Sequence, residues 1–198
     1  MPLSDGYTDI AAGKVAAIVT HLEMRERPSN LDLSPSGDWR LRHVSQPNPE
    51  WYKSLYRAIG QDWLWFSRLE YTDGQLTSTI CHPRVEIYAF EVAGKDEGLL
   101  ELDFRNDGEC ELAFFGVAAH CQGKGAGRWL MNRATDLAWA RPIERFRVHT
   151  CTFDHHGALG FYVRSGFVPY RRQLEIAPDP RLTGVMPRSA APQTPIIE

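Results

Sequence analysis

The chain lacks any apolar run approaching the ~18 residues that span a bilayer, and Met1-Pro2-Leu3-Ser4-Asp5 shows no basic stretch followed by an apolar core. No membrane role is expected, and a cytoplasmic location follows. Cysteine is scarce: Cys81, Cys110, Cys121 and Cys151 show no CxxC spacing, which argues against a zinc site or a disulfide framework and fits reduced thiols. Neither sign of charge dominates. Lys and Arg number 22 against 25 Asp and Glu, a net charge of -3, so nucleic acid and anionic membrane surfaces are not expected as partners. No internal repeat is present. Beyond Ile176 large apolar residues are few while Pro178, Pro180, Pro187, Pro192 and Pro195 recur, so residues 177–198 read as a Pro-rich arm, extended or disordered.

What is there fits one sizeable core, since 198 residues with 43% hydrophobic content rarely divide into two ordinary domains. Lys14 to Met24 is rich in β-branched and small apolar residues and reads as a strand, followed by a loop to Gly37; residues 1–38 thus form an N-terminal strand and loop packed on the main domain. Trp39 to Val44 alternates as a strand. Pro49 opens a helix in which Trp51, Leu55 and Ile59 share a face until Gly60. Gly74 to Cys81 predicts a short helix. Val85 to Val92 and Leu99 to Phe104 predict strands joined by a turn over Gly94 to Gly98, and Asn106-Asp107-Gly108 predicts a hairpin into an antiparallel strand over Glu111 to Val117. The period then becomes helical from Ala126 to Ala140, with Leu130, Ala134, Leu137 and Ala138 on one face. Phe146, Val148 and Thr150 alternate as a strand, Ala158 to Ser165 predicts a helix closed by Gly166, and Phe167 to Tyr170 extends again. The order predicts an α/β (α+β) fold.

Gln122-Gly123-Lys124-Gly125-Ala126-Gly127 joins a strand to the longest helix. A helix N-terminus leaves amide protons unpaired and partly positive, and glycines let a phosphate reach them without meeting a β-carbon. Three glycines in five residues exceed what a tight turn requires. Lys124 and Arg128 can add charge. The spacing is not a Walker loop, because Lys124 precedes the last two glycines and no Ser or Thr follows it; nor is it GxGxxG, because Arg128 holds the sixth position. A phosphate-bearing cofactor of another kind is required.

These residues match the (Gln/Arg)-x-x-Gly-x-(Gly/Ala) signature, and the chain resembles the GNAT N-acetyltransferases from about residue 39 to 176, including Ala158-Leu159-Gly160-Phe161-Tyr162 and Gly166-Phe167 downstream. The resemblance implies a mixed, mostly antiparallel β-sheet flanked by helices, and acetyl-CoA or another acyl-CoA as donor, without a metal. It implies donor contacts along Val117, Ala118 and Ala119, with the amides of Val117 and Ala119 free, and along Gln122, Gly123, Lys124, Gly125, Ala126, Gly127 and Arg128. It places Tyr162 as general acid for the departing thiolate and Glu111, eleven positions before Gln122, as general base acting through water. Tyr162 packing the sheet with its hydroxyl on a carbonyl, and Glu111 as a solvated carboxylate, are the structural alternatives.

His155 stands where the resemblance implies an Asn contact to the pantetheine or to the helix cap; Asp154 can cap that helix instead. His149, His155, His156 and Asp154 raise a metal site, but adjacent histidines should point apart and no spaced partner completes a ligand set. Trp51, Tyr52, Tyr56, Trp63, Trp65 and Phe66 are expected mainly as core, with an amine pocket as the other reading. The acceptor is expected to be a small-molecule primary amine or a protein amino group. An acyl-CoA-binding regulatory domain without chemistry is the alternative, and a homodimer stays open.

Overall fold

The structure, a computed structural model, describes residues 4–29, 32, 34, 35 and 37–198. The loop expected before Gly37 therefore falls partly outside the described residues, at 30, 31, 33 and 36. In chain order the elements are β1 (Lys14–Met24), β2 (Trp39–His43), α1 (Pro49–Gly60), α2 (Asp73–Ile80), β3 (Val85–Val92), β4 (Lys95–Asp103), β5 (Glu109–Val117), α3 (Ala126–Trp139), β6 (Arg145–Cys151), α4 (Ala158–Arg164) and β7 (Val168–Pro178). The strands form one seven-stranded sheet in the order β2-β3-β4-β5-β6-β1-β7. Only the β5–β6 pair is parallel, so the sheet is mixed and mostly antiparallel, as expected.

Local chemistry explains most boundaries. Asn48 caps α1 by accepting from the amides of Glu50 and Trp51, and Pro49 fills a position whose N–H would go unused. Thr72 and Gln75 form a reciprocal capping box on α2. The β3–β4 turn is tighter than the sequence implied. Lys95 to Gly98 belong to β4, and the turn is Ala93-Gly94, both at positive φ (51° and 79°), the two-residue geometry that matches strand twist. The charges at Lys95, Asp96 and Glu97 had disguised the strand; Asp96 instead accepts from Trp51 Nε1 and pairs with Arg42.

Two cores lie on opposite faces of the sheet. On one, Tyr52, Leu55, Tyr56 and Ile59 of α1 and Leu76 and Ile80 of α2 cover Val85, Ile87 and Leu99. On the other, Trp129, Leu130, Ala134 and Ala138 of α3 and Tyr162 of α4 pack on Phe90, Leu100, Leu112 and Val148, while Leu137 is only half-buried.

Both ends of the chain are more deeply built in than their composition implied. β1 is an interior strand, paired with β6 on one side and with β7 on the other. β7 runs on to Pro178 because β1 offers it a full-length partner. The Pro-rich segment after it is neither extended nor disordered. It folds back in turns that bury Met186, Ala190 and Ala191 beside Val15 and Leu64. A buried Asp179–Arg181 ion pair (2.7 Å) organises these turns, with Arg181 Nη1 also donating to the Ala190, Ala191 and Thr194 carbonyls. Prolines only limit strand and helix; a charge-centred turn satisfies the remaining carbonyls.

Candidate active site

The site begins where the sheet forks. β5 and β6 pair from Glu109–Arg145 to Leu112–Val148 and then separate, although β5 continues to Val117 and β6 to Cys151. On its other side β5 stays bonded to β4, and the Ala118 amide donates to the Glu97 carbonyl (2.8 Å). Bonded and non-bonded pairs alternate along an antiparallel ladder, so the amides of Val117 and Phe115 face the gap. Ala118 has its amide engaged with Glu97 and its carbonyl accepting from the Cys121 amide (2.9 Å). The Ala119 amide donates to no group among the described residues.

A cavity of about 470 Å³ occupies this gap. Val117, Gln122, Ala158 and Tyr162 line it towards the α3 and α4 face, and Trp63, Trp65, Arg68, Glu111, His149 and Phe153 line it towards the other. The split sheet thus connects its two faces through one space.

Gln122 to Gly127 lead from this gap into α3. Gly123 (φ 72°) and Gly125 (φ 88°) adopt the left-handed backbone that glycine takes without strain, and nothing lies within 4 Å of a β-carbon built on Gly123. Unlike α1 and α2, α3 has no side-chain cap, and the amides of Gly123 to Arg128 donate to nothing among the described residues. Six unspent donors at an open helix N-terminus fit a pyrophosphate. The side chains of Lys124 and Arg128 are exposed beside it.

Tyr162 points into the cavity from α4, buried among Phe115, Phe161 and Phe167, and its hydroxyl bonds to no protein group among the described residues. Burial, and secondarily the Asp154 carboxylate, raise the phenol above its ordinary pKa, which keeps it protonated at neutral pH. A tyrosine anchored on a backbone carbonyl is therefore not what the structure holds.

Glu111 also reaches the cavity, with its carboxylate in ion pairs: Oε2 meets Arg147 Nη2 at 2.8 Å and Oε1 meets His149 Nδ1 at 3.5 Å. Burial pushes its pKa up, but the His149 hydrogen bond and the Arg147 charge outweigh it, and the net direction is down. It is not a solvated carboxylate. The same contact raises His149.

The loop after α4's preceding strand differs from expectation. Asp154 does not cap α4; it accepts from Thr150 Oγ1 (2.7 Å), the Cys151 amide (2.8 Å) and Trp65 Nε1 (3.2 Å). His155 is the residue at the helix entry, with Nδ1 accepting from the Gly157 amide and the ring edge-on to Trp63. The His155 and His156 rings stack, centroids 4.2 Å apart, rather than pointing away from each other. Among the described residues no group of three His, Cys, Asp or Glu side chains can hold a metal.

The aromatic stretch divides between core and wall. Tyr52 and Tyr56 are fully buried, whereas Trp63, Trp65 and Phe66 are half-buried and line the cavity. Trp65 fits because Gly60 and Gly116 lack β-carbons: one on Gly60 would lie 2.4 Å from its ring, and one on Gly116 3.1 Å. Arg68 lies beneath, with Nη2 at 2.5 Å from the wholly buried Glu101, whose other oxygen accepts from Tyr52. Neither this pair, nor the Phe153, Ala177 and Val15 wall, was visible in the sequence, because distant segments meet to form them.

The comparisons with known proteins agree with this geometry. The sequence model of the Acetyltransferase (GNAT) family matches residues 47–167. The chain belongs to that family of acyltransferases. The match leaves out β1, β2 and β7. No curated protein matches the chain in sequence. Similar solved structures include a GCN5-related N-acetyltransferase from Sphaerobacter thermophilus (TM-score 0.59, 17% identity, covering 82% of this chain and 51% of that one) and another from Kribbella flavida (0.55, 18%, 87% and 63%). An aminoglycoside acetyltransferase from an uncultured soil metagenomic sample, solved with sisomicin, is similar at TM-score 0.53 and 13% identity, covering 65% of this chain and 87% of that one. At these identities the likeness is one of fold, and the chain spans less than two thirds of the first two proteins. No helix among the described residues is long and apolar enough to cross a membrane.

Proposed function

We propose that this protein transfers an acetyl group directly from acetyl-CoA to the primary amine of a small molecule. The observation that carries the reading is the junction of the uncapped α3 cradle with the β5–β6 fork, which leads to a cavity holding a free phenol. The cradle amides of Gly123 to Arg128 would hold the pyrophosphate, and Val117 and Ala119 would offer amides to the pantetheine arm. When bound, acetyl-CoA supplies an activated acyl carbon.

Tyr162 would give its proton to the leaving sulfur, and the carboxylate side of the cavity at Glu111 would receive the proton of the acceptor ammonium. Direct transfer is favoured over a cysteine-bound intermediate, because burial pushes the one cavity thiol, Cys151, up to about 11 and leaves it protonated. Aromatic walls at Trp63, Trp65 and Phe66 suit an amine carried on an apolar or aromatic body. In this reading residues 39–176 carry the transferase core, and residues 1–38 and 177–198 complete the sheet and the acceptor wall.

The test is incubation with acetyl-CoA and a panel of alkyl, arylalkyl and polyamine acceptors plus a lysine-containing peptide, following free thiol. Amine-dependent thiol release is expected with at least one small amine. Tight acetyl-CoA binding without release from any amine would make the protein an acyl-CoA-binding module. Gly125→Ala forces an L-residue into left-handed backbone, at about 1–2 kcal/mol. Calorimetry should accordingly show acetyl-CoA binding about tenfold weaker; an unchanged Kd would mean that the cradle does not hold the nucleotide.

A further inference from the structure

We infer that His149 takes the proton from the acceptor ammonium, and that Glu111 acts as the residue that positions it. This rests on the transferase reading above and changes the role given there to Glu111. His149 is the first residue of β6 beyond the last β5–β6 pair, Leu112–Val148, so it stands at the crotch of the fork. Strand alternation sends Leu112 and Val148 into the α3 core and sets Glu111, Arg147 and His149 on the opposite face. Tyr162 lines the same cavity from the α4 side. An acid and a base on opposite faces of one gap suit the reaction, since the nucleophile and the leaving sulfur occupy different positions around the acyl carbon.

Glu111 is poorly placed to be the base itself, because each of its oxygens is already engaged, one by the Arg147 guanidinium and the other by the His149 ring. The contact through Nδ1 favours the tautomer that keeps a proton there, leaving the lone pair on Nε2 for the cavity. Nearly half the His149 side chain, 47%, remains accessible. The groups around it are Glu111 and Arg147, then His21 of β1 with ring centroids 5.7 Å apart, Glu175 of β7 and Asp154 after β6. His21 is itself held by Gln173, Nε2 to Oε1 2.7 Å, and burial lowers its pKa, so it adds little positive charge near neutrality.

The step balances as follows. Nε2 accepts one proton from the ammonium and releases it to solvent. The freed nitrogen lone pair forms the C–N bond, the C–S electron pair goes to sulfur, and Tyr162 protonates that sulfur. The second proton lost from nitrogen returns to the Tyr162 oxygen. The products are an amide, a free thiol and one proton in solution.

His149→Gln is expected to lower kcat at least 100-fold and to erase the acidic limb of the pH–rate profile, with acetyl-CoA Kd unchanged. The hydrogen bond that His149 Nδ1 donates to Glu111 raises the imidazole above its ordinary value, so the wild-type limb should rise above pH 6.5. Glu111→Gln should move it to lower pH. NMR titration of the ligand-free protein, with the His149 signal assigned by its loss in His149→Gln, should show the same downward move without any turnover. Wild-type turnover with a His149→Gln variant that keeps its rate and limb would overturn the inference alone, as would an imidazole titration indifferent to Glu111→Gln. Acetyl-CoA binding without thiol release by the wild type would overturn the transferase reading and this inference with it.

Discussion

Tyr162→Phe is expected to lower kcat by about 10²–10³ while leaving acetyl-CoA affinity and thermal stability unchanged. General acid catalysis by a positioned group contributes ~10²–10⁴. The separation from stability follows from the surroundings of the hydroxyl. It bonds to no protein group among the described residues, so removing the oxygen breaks no internal contact, and the ring keeps its packing on Phe115, Phe161 and Phe167. Steady-state kinetics, calorimetric titration and a melting curve on the same preparation check all three parts. A variant that keeps full turnover would remove Tyr162 from the chemistry, and one that melts markedly earlier would make it structural.

The largest loss of stability is expected from Arg68→Met. Glu101 is fully buried, and Arg68 is its only charged partner within ion-pairing distance among the described residues. Removing the guanidinium leaves a carboxylate held by Tyr52 alone, at a cost of about 3–5 kcal/mol. The cationic stacking on Phe114, 4.9 Å from the ring centroid, disappears as well. Urea unfolding should show a correspondingly lower midpoint. Replacing both partners, Arg68→Met with Glu101→Leu, should recover most of the loss, because a buried pair gains little over apolar groups of similar volume. Equal destabilisation in the single and double variants would mean that lost packing, not the stranded charge, dominates.

The sequence was most legible where local rules set the structure. Helix α3 and its glycine approach were readable because the amphipathic stripe and the three glycines lie within a few turns of each other. The start of α1 at Pro49 and the Asn106-Asp107-Gly108 turn followed from residue types alone. The neighbours of β1 were not readable, because its pairing with both β6 and β7 is decided more than a hundred residues away. His149 was met only as a stray metal ligand for the same reason: its contact with Glu111 depends on the β5–β6 register, which no local pattern encodes. The Pro-rich end misled through composition, since Asp179 and Arg181, two residues apart, supply a centre that hydropathy does not register.

The turns after β7 bear on how such an enzyme could change its preference. Met186, Ala190 and Ala191 support Val15 and Leu64, which line the cavity on the side proposed for the acceptor, and Gln193 Nε2 donates to the Asp62 carbonyl beside Trp63. The glycine-rich approach to α3, proposed above as the donor cradle, lies more than fifty residues earlier, on the other side of the fork. In the proposed transferase, grip on coenzyme A and choice of amine would therefore be written in separate stretches of chain. On that proposal, substitutions among residues 179–198 would remodel which amine fits while the nucleotide end went on working untouched.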